Sequence, residues 1–371
     1  MFFLKEHNTS AKDYVLSLFE NHDIVILCER AHPEFTQYEL FLEIVKSPYF
    51  INNVGNIYTE VGVENMDNRI NKFLQSEQQD SLTTRNKITG IFRDADYSPF
   101  WDCYNYPWFL SQIHKVNQKL PGPKKIRLHP SDASFSWSEI KTAEEYTKFD
   151  KGLDDRDSIM AKNIITRFDS ISSDSTKRHK ALIIMNFRHA FLKDFQIKNS
   201  KESKIENVGR YLSEKYGNNV ASVYIMGLAY PKSFEEYTIV KDGLWDATFE
   251  KSEKLDIGFN LEGSPFGSEE FDVVPSASVT EKLTYQDMFT GLIFYKPIQE
   301  HRFITGWKGF ITDDFIPEMR RRTIIYNEAM DDELTNEELE EQIWISNVKE
   351  TRTYNNLEAM RKKIDEKKNG L

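Results

Sequence analysis

The 371-residue chain is 39% hydrophobic and 13% aromatic, enough to bury a sizeable core in one large or two ordinary domains. Its formal net charge of −11 argues against a nucleic-acid partner, because phosphate binding needs a basic surface, while leaving room for a locally basic pocket. No run approaches the roughly 18 apolar residues of a membrane span. The start, "MFFLKEHNTSAKDY", lacks the basic region and long apolar stretch of a signal peptide, and Cys28 and Cys103 offer neither a disulfide framework nor a metal cluster. A reducing, cytoplasmic setting is the expectation.

In chain order, "DIVILC" (23–28) is a short β-branched apolar run, as expected of a strand buried on both faces. Phe35, Tyr38, Leu42 and Val45 then recur at helical spacing, with Pro48 as the stop. "NIYTEVG" (56–62) reads as a second strand, and helical periodicity fills an insert at about 64–119 before the "PGP" at 121–123. "KKIRLHPSD" (124–132) reads as a third strand and "DDRDSIMAKNIITRFDSI" (154–171) as an amphipathic helix. "KALIIMN" (180–186) and "VASVYIMGLAY" (220–230) complete five strands. The connections are long enough for helical crossovers, so the fold class is α/β, with a central, mainly parallel sheet flanked by helices. From about 240 to 300 the chain reads as cleft-wall loops, including "DIGFNLEGSPFGSEEFD" (256–272), with "GLIFYKPI" (291–298) as a late strand or loop. One α/β domain over 1–312 and a charged helical C-terminal extension over 313–371, capping it, are expected; "DDELTNEELEEQ" (331–342) would be its solvated face.

Ligands of open parallel sheets bind at the carboxyl ends of the strands. Here those ends carry Glu29, Arg30 and His32, then Glu60, then His129, Ser131 and Asp132, then Asn186, Arg188 and His189. Glu29 and His32, at i and i+3, suit a carboxylate that orients an imidazole and raises its basicity. The alternative is that His32 caps the next helix while Glu29 pairs with Arg30 on the rim. Glu60 in a buried strand needs a partner. Arg156 and Asp157 open a helix on which Asn163 would be half-buried and in need of hydrogen bonds. Cys28 reads as a small buried hydrophobe. Phosphate-loop, dinucleotide, serine-elbow and H-E-x-x-H templates are absent.

These residues in this order resemble the erythromycin esterase-like proteins of the Tiki/ChaN-like superfamily. "CERAH" (28–32) is similar to the family's strand-G-E-x-x-H motif, and "YTEVG" (58–62) to its strand with a glutamate. "WDCYNYPWFLSQIHKVN" (101–117) resembles its Trp-to-Asn helical stretch, and "IRLHPSD" (126–132) its strand ending near Asp. "RDSIMAKN" (156–163) matches R-D-x-x-M-A-x-N at every fixed position, and "IIMNFRH" (183–189) stands where H-N-x-H belongs. The resemblance implies a hydrolase in which His32 activates water, with Glu29, Glu60 and His189 around it. Arg156, Asp157, Asn163, Asp132, Arg188 and Asn186 would support the site or contact substrate. Departures from the pattern are Cys28 for glycine, Pro33 after the histidine, Asn186 and Phe187 for the first His and Asn, and Phe41 near the place of an expected arginine.

Three readings follow for a small-molecule substrate or ligand. The first is metal-free attack of water on an ester or amide carbonyl, with His189 or Arg156 stabilising the oxyanion. The second is a hydrolase with a divalent metal held by Glu29, His32, Glu60 and His189. The third is a non-catalytic protein that binds a haem-like or amphipathic ligand. The sequence fixes neither substrate identity nor oligomeric state, and no cofactor beyond the optional metal is expected.

Overall fold

The computed structural model describes residues 2–100, 103–195, 205–233, 236–274, 283–332 and 334–371. Trp101 and Asp102 of the helical motif, residues 275–282 of the expected cleft wall and Glu333 of the acidic run lie outside the described residues.

The first strand, β1, runs Ile24–Glu29, and all six of its residues are buried. Val25 and Leu27 pack into one apolar layer, Ile24, Ile26 and Cys28 into the other, which is what an unbroken apolar run achieves in a sheet covered on both faces. β2 (Asn56–Val63), β3 (Arg127–Asp132), β4 (Ala181–Asn186) and β5 (Val220–Ile225) follow the same logic. With β8 (Asp256–Asn260) and β9 (Gly291–Tyr295) they form a seven-stranded mixed sheet of order β3-β2-β4-β1-β5-β9-β8. Every neighbouring pair is parallel except β8–β9. Helices Ala11–Leu18, Thr36–Lys46, Asp67–Gln75, Ser81–Arg93 and Asn105–Asn117 cover one face. Arg156–Ser172, Val208–Tyr216 and Leu244–Lys251 cover the other.

The register decides where the strand ends meet. Glu29 pairs with Asn186 and Thr59 with Ile184, so β1, β4 and β2 deliver their carboxyl ends side by side. β2 is bulged against β3 between Thr59 and Val63. Gly62 there has φ 107°, and a Cβ on it would come within 2.7 Å of the Pro130 side chain. Bulges of this kind re-aim a side chain at the rim of a sheet; here the residue concerned is Glu60.

Three expectations change. Residues 256–272 are not wholly loop: the first five form β8, an antiparallel strand on which Gly258 packs against Tyr14. "VASVYIMGLAY" is two strands, because the chain turns at Met226–Gly227 and continues as β6 (Leu228–Ser233), which forms a separate two-stranded sheet with β7 (Glu236–Ile239). Pro48 ends one helix and also begins the next, Pro48–Asn53, where a missing N–H costs nothing. The C-terminal segment carries helices Ile316–Met330, Asn336–Asn347 and Leu357–Gly370 and a two-stranded ribbon of β10 (Phe303–Thr305) with β11 (Glu350–Arg352). No helix among the described residues is long and apolar enough to cross a membrane.

Candidate active site

At the end of β1 the chain turns through Glu29–Pro33 before the Thr36–Lys46 helix. Arg30 fixes this turn: it is 7% exposed, and its guanidinium donates to the carbonyls of Met226 at 2.9 Å and Tyr295 at 2.8 Å and pairs with Glu34 at 3.1 Å. Glu34, not His32, caps the helix, accepting from the N–H groups of Thr36 at 2.8 Å and Gln37 at 3.1 Å. The capping reading of His32 is thereby replaced, as is the pairing of Glu29 with Arg30.

His32 stands between two buried carboxylates. Its Nδ1 is 3.1 Å from Glu29 and its Nε2 is 3.7 Å from Glu60. Burial opposes charge on the ring, yet the two carboxylates outweigh it and raise the pKa to about 9. Glu29, itself pushed up by burial, accepts from Tyr38 and from the Gln37 amide at 3.5 Å. Glu60 goes the other way. Burial would raise it, but His189, His32 and Arg156 hold it down at about 2, helped by the Asn186 N–H at 2.7 Å.

Behind this pair lies a closed ionic cluster. Arg156, at the first turn of its helix, donates to both oxygens of Asp132 at 2.7–3.1 Å and to Glu60 at 3.2 Å. Its Nη1 is 3.3 Å from His189 Nε2. Asp157 takes His189 Nδ1 at 2.7 Å, Arg188 at 2.7 Å and the Val208 N–H at 3.1 Å, and these partners lower its pKa against its burial. Asn163 does need partners: its amide donates to the carbonyl of Ser131 at 3.0 Å. Asn186 reaches across from β4 to the carbonyls of Glu29 and Arg30. Glu29, His32, Glu60, Asp132, Asn186, Arg188 and His189 from the strand ends and Arg156, Asp157 and Asn163 from the helix therefore fall in one contiguous network.

His129 does not join them; it pairs with Asp67 instead, at 2.5 Å. Asp96, which sequence reasoning missed, does join electrostatically: burial first, then Asp132, push its carboxyl up to about 6. Its signal in the sequence, "RDADY", is indistinguishable from an ordinary polar turn.

The residues named for a metal do not suit one. The Arg156 guanidinium already stands 3.2 Å from Glu60 and 3.3 Å from His189 Nε2, the atoms a shared metal ion would need. Among the described residues, no group of three or more His, Cys, Asp or Glu is arranged to hold a metal ion.

A cavity of about 510 Å³ opens beside Glu29 and His32. Six Phe and Tyr side chains line it: Phe187, Tyr224, Tyr230, Tyr237, Phe303 and Tyr354. Phe187 is held at φ 47°, a region that disfavours a bulky side chain and that structures retain where the surroundings over-determine it. Cys28 also lines the cavity, 1% exposed, its thiol pushed far up by burial and so inert as a nucleophile. Glu60, Arg156 and His189 stand behind His32 and do not line it.

No family model matches the chain, and no curated protein matches it. Among solved structures, one similar to it is a Bacillus cereus protein, with TM-score 0.48, 13% identity, 80% of this chain covered and 96% of that one. A mutant erythromycin esterase in its open conformation gives TM-score 0.47 and 11% identity, covering 75% of this chain and 91% of the other. A succinoglycan biosynthesis protein gives TM-score 0.47 and 10% identity, with 76% and 89% covered.

Proposed function

We propose that the protein is an esterase-like hydrolase in which the Glu29–His32 pair activates water against an ester or amide carbonyl seated in the aromatic cavity. The observation that carries the reading is the position of His32, on the cavity wall and between two buried carboxylates. With Nδ1–H donated to Glu29, the Nε2 lone pair takes a proton from water as its oxygen bonds to the carbonyl carbon. The imidazolium so formed is the species both carboxylates favour, and it returns the proton to the departing alkoxide or amine. The products are an acid and an alcohol or amine. Arg156 and His189 act behind it, keeping Glu60 ionised, and Asp132 holds the Arg156 guanidinium in place. Since they do not line the cavity, the oxyanion role expected of His189 or Arg156 is not assigned to them here.

Turnover of an ester panel by His32→Ala and Glu60→Gln tests this. A fall of about 10²-fold or more is expected for His32→Ala. Unchanged rates in both variants refute the reading. A pH–rate profile still rising toward about pH 9 is the second expectation, because the neutral imidazole becomes the major form only there. Non-catalytic binding of an amphipathic ligand is the competing reading, favoured by the aromatic walls and by a His32 that is cationic at neutral pH. A ligand that co-purifies unaltered, with no ester turned over, would decide for it.

A further inference from the structure

A second cavity, of about 590 Å³, lies at the opposite end of the sheet. Asn56 and Arg127, the first residues of β2 and β3, line it, with helices Asp67–Gln75 and Arg156–Ser172 at its sides. Its volume is that of an ordinary small-molecule site. Its lining is basic although the whole chain is acidic: Asp67 is the one carboxylate there among the described residues.

Two of the cations build the wall. Arg178 donates to the carbonyls of Ile51, Lys124 and Lys125 at 2.6–3.0 Å, and Lys125 Nζ to that of Gln75 at 2.7 Å. Arg167 leans loosely on Glu64 at 3.4 Å and Asp67 at 3.7 Å, and Lys177 on Asp174 at 3.1 Å. Lys72 and Arg127 are exposed and have no carboxylate within ion-pair distance among the described residues. An anion entering here meets several positive charges that the protein has not neutralised.

His129 supplies an independent observation. It lines the same cavity, is 3% exposed, and its Nε2 is buried with no hydrogen-bond partner among the described residues. Its Nδ1 is 2.5 Å from Asp67, which fixes the tautomer with the proton on that side. Burial keeps the ring below its ordinary pKa, so around neutral pH Nε2 is a bare acceptor. Leaving such an acceptor unsatisfied costs roughly 1–3 kcal/mol. An inorganic oxyanion would answer the cations, and a larger ligand with its phosphate held there would also reach this nitrogen through a hydroxyl or N–H of its body.

We propose that this cavity binds a phosphorylated sugar or nucleotide, its phosphate held by Lys72, Arg127 and Arg167 and a hydroxyl or N–H of its body donated to His129 Nε2. Isothermal titration calorimetry of the full chain at low ionic strength, with inorganic phosphate, ribose 5-phosphate and AMP, tests it. One-to-one binding of ribose 5-phosphate or AMP is expected, about tenfold or more tighter than inorganic phosphate, from one added hydrogen bond. The double variant Lys72→Ala, Arg127→Ala should weaken that binding by about tenfold or more, while an unchanged melting curve shows the fold intact. Absence of saturable binding by any of the three probes overturns the proposal, as does binding that the double variant leaves unchanged. Inorganic phosphate binding as tightly as ribose 5-phosphate and AMP overturns the ligand class.

Discussion

The two ends of the sheet treat charge in opposite ways. At the carboxyl end every arginine has a carboxylate: Arg30 has Glu34 at 3.1 Å, Arg156 has Asp132 at 2.7 Å, and Arg188 has Asp157 at 2.7 Å. At the amino end cations outnumber carboxylates, and Lys72 and Arg127 face solvent and cavity without one among the described residues. A cation in the first group holds the protein together and positions its neighbours. A cation in the second group is left for something else to meet. The comparison separates charges fixed by the fold from charges held in reserve, and mutation should tell them apart.

The largest effect is expected at Arg156. Its replacement by Leu leaves Asp132 buried without its cation and Glu60 with only its histidine and backbone partners, and breaking such a network costs about 3–5 kcal/mol. Urea denaturation measures it; a loss below about 1 kcal/mol would mean the cluster is more hydrated than its burial implies. Arg156→Lys keeps the charge but loses the fork that spans both Asp132 oxygens, so it should recover only part of the loss.

The second effect is in pH. Glu60 has its pKa depressed from 4.5 to about 2, so its contribution is full above pH 4.5 and lost as pH falls through about 2. His32 is raised from 6.5 to about 9, so its contribution is full below pH 6.5 and lost as pH rises through about 9. The contribution of this pair should therefore form a plateau between about pH 4.5 and 6.5 and decline on the alkaline side by about 3 kcal/mol as His32 loses its proton. His32→Gln should flatten the alkaline limb and leave the acid limb in place. An alkaline limb of unchanged slope in that variant would show that His32 is not the titrating group.

The same contrast explains what the sequence could disclose. β1 to β5 were legible because burial on both faces forces apolar runs, and Glu29, His32 and Glu60 stand out as the charged residues that interrupt or end them. β8 was not, since only three of its five residues are buried and a glycine occupies the middle. The break at Met226–Gly227 was hidden for a related reason: the turn is made where Gly227 lets the Arg30 side chain pass, a Cβ there falling 3.1 Å from it, and that contact joins residues far apart in the chain. The cavity wall made by Phe303 and Tyr354 was invisible likewise, because Phe303 lies just past the expected cleft-wall loops and Tyr354 in a charged extension that gives no sign of reaching the cavity beside His32. His129 was placed with the wrong group: its strand pointed to the cluster, but side-chain alternation turns it toward the helix bearing Arg167. Only the pairing with Asp67, 62 positions earlier, shows which end of the molecule it serves.

The smallest effect is the one that most sharpens the contrast. Lys72→Ala and Arg127→Ala remove two charges from exposed positions that hold no carboxylate among the described residues. A structural cation would be missed; these should not be. Their removal relieves repulsion with Lys124, Lys125 and Arg167, so urea denaturation should find stability within about ±0.5 kcal/mol of the parent, with any change favouring the variant at low salt. Adding salt should erase the difference, since screening removes the repulsion first. A loss above about 1 kcal/mol would instead mark these residues as part of the fold's own ion pairing, and the two ends of the sheet would then differ in degree rather than in kind.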